Sequence, residues 1–133
     1  MKIKSTLLLV IAIATSQNLF SSDKILLISD EDADTYLLTK TIKKISPQIR
    51  RYWEEEKFKR DIELNEKIIY LKGEGTKVLS EINCLEDTIE SKQIVTYKEN
   101  GEIKRNSGIF EERKVRGIIP GSTAERVRNI VCK

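Results

Sequence analysis

Between Thr76 and Cys84 the chain alternates with a period of two, Val78, Ser80, Ile82 and Cys84 falling on one side and Lys77, Leu79, Glu81 and Asn83 on the other. That alternation marks a strand with one packed face, and it sets Cys84 among apolar neighbours. Leu85-Glu86-Asp87 turns the chain into a further strand from Thr88 to Lys98, with Ile89, Gln93, Val95 and Tyr97 in step. Glu99-Asn100-Gly101 predicts a hairpin, because Asn and Gly tolerate the positive φ that tight β-connections need, and a strand around Ile103 follows. Upstream, Ile68-Ile69-Tyr70-Leu71 is a β-rich run stopped by Gly73-Glu74-Gly75. Gln48 to Phe58 reads as a strand with Ile49, Arg51 and Trp53 on one face and Arg50, Tyr52 and Glu54 on the other. Such a strand buries Trp53 and lays long basic side chains along its rim. A linker or short strand is expected around Lys24 to Ser29, a turn at Asp30-Glu31-Asp32-Asp34, and a strand from Tyr36 to Leu38. Thr39 to Ile45 reads as a turn or short helix closed by Ser46-Pro47, and the charge-dense stretch from Glu54 to Lys67 leaves loop, strand and helix open.

At the C-terminus the period changes. Ser122 is a good N-cap and Glu125, three residues on, completes a capping box. Ala124, Val127 and Val131 form one apolar stripe, with Ile130 on one flank and Cys132 on the other. A helix this short is marginal alone in water and must be held by packing or a covalent tie.

The N-terminus has the three-part order of an export leader: Lys2 and Lys4, the apolar run Leu7 to Ala14, then small and polar residues. The run falls well short of the roughly 20 residues a membrane-spanning helix needs, so no transmembrane anchor is expected. Ala14-Thr15-Ser16 places cleavage after Ser16, giving a signal peptide over 1–16, with an alternative cut as late as residue 22. No cysteine lies near these sites to accept a lipid. The remaining 23–133 is the size of one domain, exported to the periplasm, cell surface or medium. In an oxidising compartment, two cysteines without metal or redox spacing read as one structural disulfide between Cys84 and Cys132, pinning the helix to a strand.

The full chain carries 24 Lys and Arg against 21 Asp and Glu, and losing the leader with Lys2 and Lys4 brings the two almost level. A nucleic-acid partner would call for a marked basic excess, so none is expected. The acidic group at Asp30 to Asp34 lacks the Gly bend and distal Glu of a calcium loop, and no metal is expected there. The chain contains no histidine, which removes Ser-His and Cys-His nucleophile pairs and the commonest ligand of catalytic zinc. With no phosphate loop, nucleophile elbow or dinucleotide fingerprint, the reading is a non-enzyme without cofactor.

Four stretches together resemble the bacterial surface-adhesin protein E family: Arg51-Tyr52-Trp53, Glu81-Ile82-Asn83-Cys84, Tyr97-Lys98-Glu99-Asn100-Gly101, and Ile118-Ile119-Pro120-Gly121-Ser122 through Cys132. The resemblance implies an α+β fold, mainly antiparallel β-sheet with a C-terminal α-helix tethered across the concave face by the disulfide, in a chain that can form a homodimer. It also implies attachment to host matrix or plasma proteins such as vitronectin, laminin and plasminogen.

Two functional expectations follow. The first is an envelope or surface binding module whose basic residues Arg50, Arg51, Lys57, Lys59 and Arg60 form an electrostatic patch for an acidic protein partner. The second is a periplasmic inhibitor or immunity-type protein that blocks an enzyme with a loop such as Lys72 to Lys77.

Overall fold

A computed structural model describes residues 23–133, so the expected leader and its expected cleavage site lie outside the described residues. Among the described residues nine strands and one helix follow in order: β1 (Lys24–Ser29), β2 (Ala33–Lys44), β3 (Ile49–Phe58), β4 (Ile62–Leu64), β5 (Lys67–Tyr70), β6 (Gly75–Asn83), β7 (Thr88–Tyr97), β8 (Ile103–Asn106), β9 (Arg116–Gly117) and α1 (Thr123–Val131). The main sheet is antiparallel in the order β1-β2-β3-β6-β7-β8, with the short β9 also pairing β7. β4 and β5 form a separate hairpin inserted between β3 and β6. The fold is thus the expected α+β arrangement, a largely antiparallel sheet carrying one C-terminal helix.

The helix begins as its sequence dictates. The Glu125 amide donates to the Ser122 hydroxyl at 3.2 Å, while the Glu125 carboxylate reaches back to the Gly121 amide at 3.2 Å, one residue before the cap. Gly121 sits at φ +80°, a conformation that favours glycine. Val127 and Val131 are buried against Leu27, Leu37, Tyr52 and Ile82 of the sheet. Cys84 and Cys132 are bonded, their Cα atoms 5.7 Å apart across 48 positions of sequence. The tie therefore closes the end of the helix onto the chain leaving β6.

Three local expectations are corrected. Thr39 to Ile45 is not a turn or short helix; residues through Lys44 continue β2, which pairs with β3 on both sides of a break in register between Leu38 and Lys43. The Thr41 hydroxyl fills that break, donating to the Leu38 carbonyl at 2.6 Å and accepting from the Trp53 amide at 2.9 Å. A bulge of this kind lets a strand absorb extra residues without ending it. Secondly, the packed face of β3 is the one with Tyr52, which is fully buried, and Trp53 lies on the opposite face, half-buried. Thirdly, Ile89 and the trio Gln93, Val95 and Tyr97 are not in step. A break between Leu79 and Ser80 in the β6–β7 register places Ile89 opposite the core residue Ile82 and Gln93 opposite Leu79 on the other face.

Candidate functional site

Among the described residues no helix is long and apolar enough to cross a membrane, and no group of three or more His, Cys, Asp or Glu is placed to hold a metal ion. The side chains that distinguish this molecule lie on the two faces of the sheet and on the inserted hairpin.

The five basic residues expected to act together are spread along β3 and the turn after it. Arg50 faces α1: its Nε donates to the Val131 carbonyl at 3.1 Å, and its Nη1 to the carbonyls of Ser46 and Pro47 at 3.1 and 3.2 Å. Arg51, one residue on, points to the other face and bonds Glu81 through Nε at 2.9 Å and Nη2 at 2.6 Å. Lys57 shares the Arg51 face and is exposed, with no ion pair among the described residues. Lys59 pairs with Asp34 at 3.0 Å, and Arg60 with Asp32, at the far end of β3, about 25 Å from Arg51 at roughly 3.3 Å per residue. Arg51 and Lys57 are brought to one face, and Lys59, paired with Asp34 opposite Lys57, stands at the far end of it; Arg50 is tied to α1 and Arg60 to the β1–β2 turn.

The face that Arg51 joins is built from cross-strand rows, since directly opposed residues project to the same side. One row runs Tyr36, Glu55, Lys77, Val95; the next runs Leu38, Trp53, Leu79, Gln93; a third runs Lys43, Arg51, Glu81, Glu90. In the first row Glu55, 11% exposed, lies between Lys24 at 2.7 Å and Lys77 at 3.8 Å. In the third, Lys92 reaches Glu81 at 3.6 Å and Glu90 at 2.9 Å, and Arg113 caps Glu90 at 2.9 Å. The Arg113 hydrogen bond, aided by Lys92, holds the Glu90 carboxyl below its ordinary range despite burial. Lys24 and Lys77 also lie over the Tyr36 and Tyr97 rings, 5.4 and 4.9 Å from their centroids. The carboxylates are thus sunk beneath the cations that pair with them.

On the helix side, Glu54 projects between Leu37 and Val78, and burial, reinforced by Glu56, pushes its carboxyl up to about 6. The inserted β4–β5 hairpin is tied to the sheet by stacking of Tyr70 on Phe58, centroids 4.4 Å apart, and shows Leu64 and Ile68 to solvent. Lys72 to Lys77 is not a free loop: Gly75 to Lys77 belong to β6, and the buried Glu74 bonds Lys104 at 2.9 Å.

The sequence reading missed Lys24, Lys77 and Lys92 as companions of Arg51. The available signal was the period of two along β3, where Arg51, Trp53, Glu55 and Lys57 share a face; it was hidden by assigning Trp53 to the core.

A family model described as surface-adhesin protein E matches residues 23–133. Two solved structures of protein E from Haemophilus influenzae are similar to this chain. The selenomethionine form superposes with a TM-score of 0.56 at 16% identity, covering 84% of this chain and 86% of that one. The other, from a non-typeable strain, gives 0.54 at 15% identity, covering 84% and 76%. No curated protein matches the chain in sequence.

Proposed function

The chain belongs to the surface-adhesin protein E family, and from that membership we propose that it is an exported, non-catalytic envelope or surface protein that binds host matrix or plasma proteins. The observation that carries the reading is the division of labour within one sheet. One face is closed by α1 and the Cys84–Cys132 tie, and the other is a rigid, pre-ordered array of charged and aromatic side chains. A surface already fixed before contact loses little conformational entropy on binding, which suits a protein that recognises other proteins without chemistry of its own. The chain also lacks histidine, and its two cysteines are joined, so neither an imidazole nor a thiolate is at hand for catalysis.

Arg51 and Lys57 are proposed as contact residues of this binding surface. Arg50, Lys59 and Arg60 contribute by holding the helix and the β1–β2 turn in place. Natively purified, oxidised protein is expected to bind immobilised vitronectin, laminin or plasminogen saturably, with affinity falling as salt rises. Failure to bind any of the three, together with resistance to protease added to intact cells, would overturn the reading in favour of a protein confined to the periplasm.

A further inference from the structure

The face of the sheet turned away from α1 has two kinds of surface in alternating bands. The band Leu38, Trp53, Leu79 is apolar and crosses β2, β3 and β6. Cations flank it on both sides, with Lys24 and Lys77 along one margin and Lys43, Arg51 and Lys92 along the other. The two margins lie about 13 Å apart, the span of four strand residues from Arg51 to Glu55 at roughly 3.3 Å each.

The balance of charge on this face is uneven in depth. Glu55, Glu81 and Glu90 are each in contact with two cations and are nearly closed off from water, whereas Lys43 and Lys57 are exposed with no ion pair among the described residues. What a partner meets is therefore the cations and the half-buried Leu38 and Trp53, with Leu79 and these three carboxylates beneath.

We propose that this face is a docking surface for an acidic segment of a protein partner, whose carboxylates engage the two cationic margins while its aliphatic side chains cover the band between them. The inference rests on the protein-binding reading above and names the surface and the chemistry of the partner. A sulfated polysaccharide would answer the cations and leave the half-buried Leu38 and Trp53 without an apolar partner. An amphipathic peptide with acidic and aliphatic residues in alternation answers both.

Trp53 is the only tryptophan in the sequence and stands in the middle of the band, so its emission reports occupancy directly. The probes are a peptide of alternating Glu and Leu, a peptide of alternating Lys and Leu, and a heparin fragment. The protein is the natively purified, oxidised chain. The Glu–Leu peptide should give a saturable change in Trp53 emission that weakens as salt is added. Combined Lys43→Glu and Lys57→Glu substitutions should weaken it about tenfold, since reversed rim charges act through long-range attraction. Neither substitution strips a buried carboxylate of its partner. A control with the same change in net charge, Arg105→Glu with Lys67→Glu, lies off this face and should leave the titration unchanged.

Three results would overturn the proposal: no saturable response to the Glu–Leu peptide, an equal response to the Lys–Leu peptide, or a response to heparin alone. Failure here is separable from failure of the broader reading. If the Lys43→Glu, Lys57→Glu variant still holds immobilised host proteins as tightly as the parent, the surface is wrong and the binding function stands. If the parent holds none of them, the binding function itself falls.

Discussion

The Nε of Arg50 donates to the main-chain carbonyl of Val131 at 3.1 Å, joining residues 81 positions apart. Val131 is the last residue of α1, where carbonyls have no partner within the helix and the helix dipole favours a cation. The same guanidinium donates to the Ser46 and Pro47 carbonyls, so one side chain clasps the helix end to the turn between β2 and β3. Its position within a run of basic residues suggests a surface charge; its contacts make it a cap. Arg50→Ala is expected to lower stability by about 1–2 kcal/mol, in line with a charged hydrogen bond lost at a helix terminus. Arg50→Lys should restore the charge without the fork and recover less than half. Urea unfolding measures both, and an unchanged midpoint for the alanine variant would remove the clasp from the account.

The covalent tie beside this clasp acts on the unfolded chain. Closing a loop across 48 positions is worth about 4 kcal/mol by the chain-entropy argument, a large share of a small domain's stability. Cys132→Ser is expected to shift the urea midpoint strongly downward, and adding reductant to the parent should reproduce the shift. Reductant should have no effect on the variant, which separates loss of the bond from damage done by the substitution itself. Thiol labelling of native, oxidised protein should modify neither sulfur.

Much of this architecture was legible from residue order alone, and the exceptions share one cause. The strands with clean alternation, β6 and the start of β7, and the helix with its Ser122 cap could be placed from pattern and local chemistry. β2 was truncated because Thr39-Lys40-Thr41 breaks the alternation, and the bulge that absorbs the break depends on the Thr41 hydroxyl meeting the Trp53 amide on a neighbouring strand. The faces of β3 were exchanged because Trp53 is the larger hydrophobe, while the helix packs over Tyr52. Once those faces were exchanged, the row linking Arg51, Glu81 and Glu90 could not be seen, because a cross-strand row is a property of register. The pairing of the two cysteines, by contrast, needed only their number and the expectation of an oxidising compartment.

Glu54 is the group whose ionisation opposes folding most clearly. It lies beside Leu37 and Val78 with Glu56 two residues along the same face, and burial raises its carboxyl to about 6 from an ordinary 4.5. Between those two values the folded protein binds more protons at this site than the unfolded chain, so this contribution to stability falls as pH rises through the window and is level above it. The full displacement corresponds to about 2 kcal/mol. Glu54→Gln is therefore expected to be more stable than the parent at pH 7 by up to that amount, and the advantage should vanish near pH 4. Comparing urea midpoints of the two proteins across this range isolates the site from Asp34, Glu74 and Glu90, whose lowered values tilt the profile the other way. A difference that does not change with pH would show that Glu54 titrates normally.

Lys92 occupies the extra position where the β6–β7 register shifts, and its ammonium lies 3.6 Å from Glu81 and 2.9 Å from Glu90. Replacing it with methionine keeps most of the side chain's apolar stem and removes the shared cation. Stripping a buried carboxylate of its partner ordinarily costs 3–5 kcal/mol. Here each carboxylate retains a second cation, Arg51 on Glu81 and Arg113 on Glu90, so Lys92→Met is expected to cost less, about 1–2 kcal/mol. The coupling is tested by adding Glu90→Gln. With Lys92 present, that substitution discards a favourable pair and should destabilise. With Lys92 already gone, it relieves a carboxylate held by Arg113 alone and should cost less. The double variant should then be more stable than the sum of the single effects by about 1 kcal/mol. The low-pH behaviour should change in step. Glu90 titrates below its ordinary value in the parent, so its stabilising contribution is complete above that value and is lost as pH falls through the depressed one; Lys92→Met should make this loss smaller. Strict additivity in the cycle would mean that Lys92 and Glu90 act independently, and the linked third row of the open face would reduce to separate surface pairs.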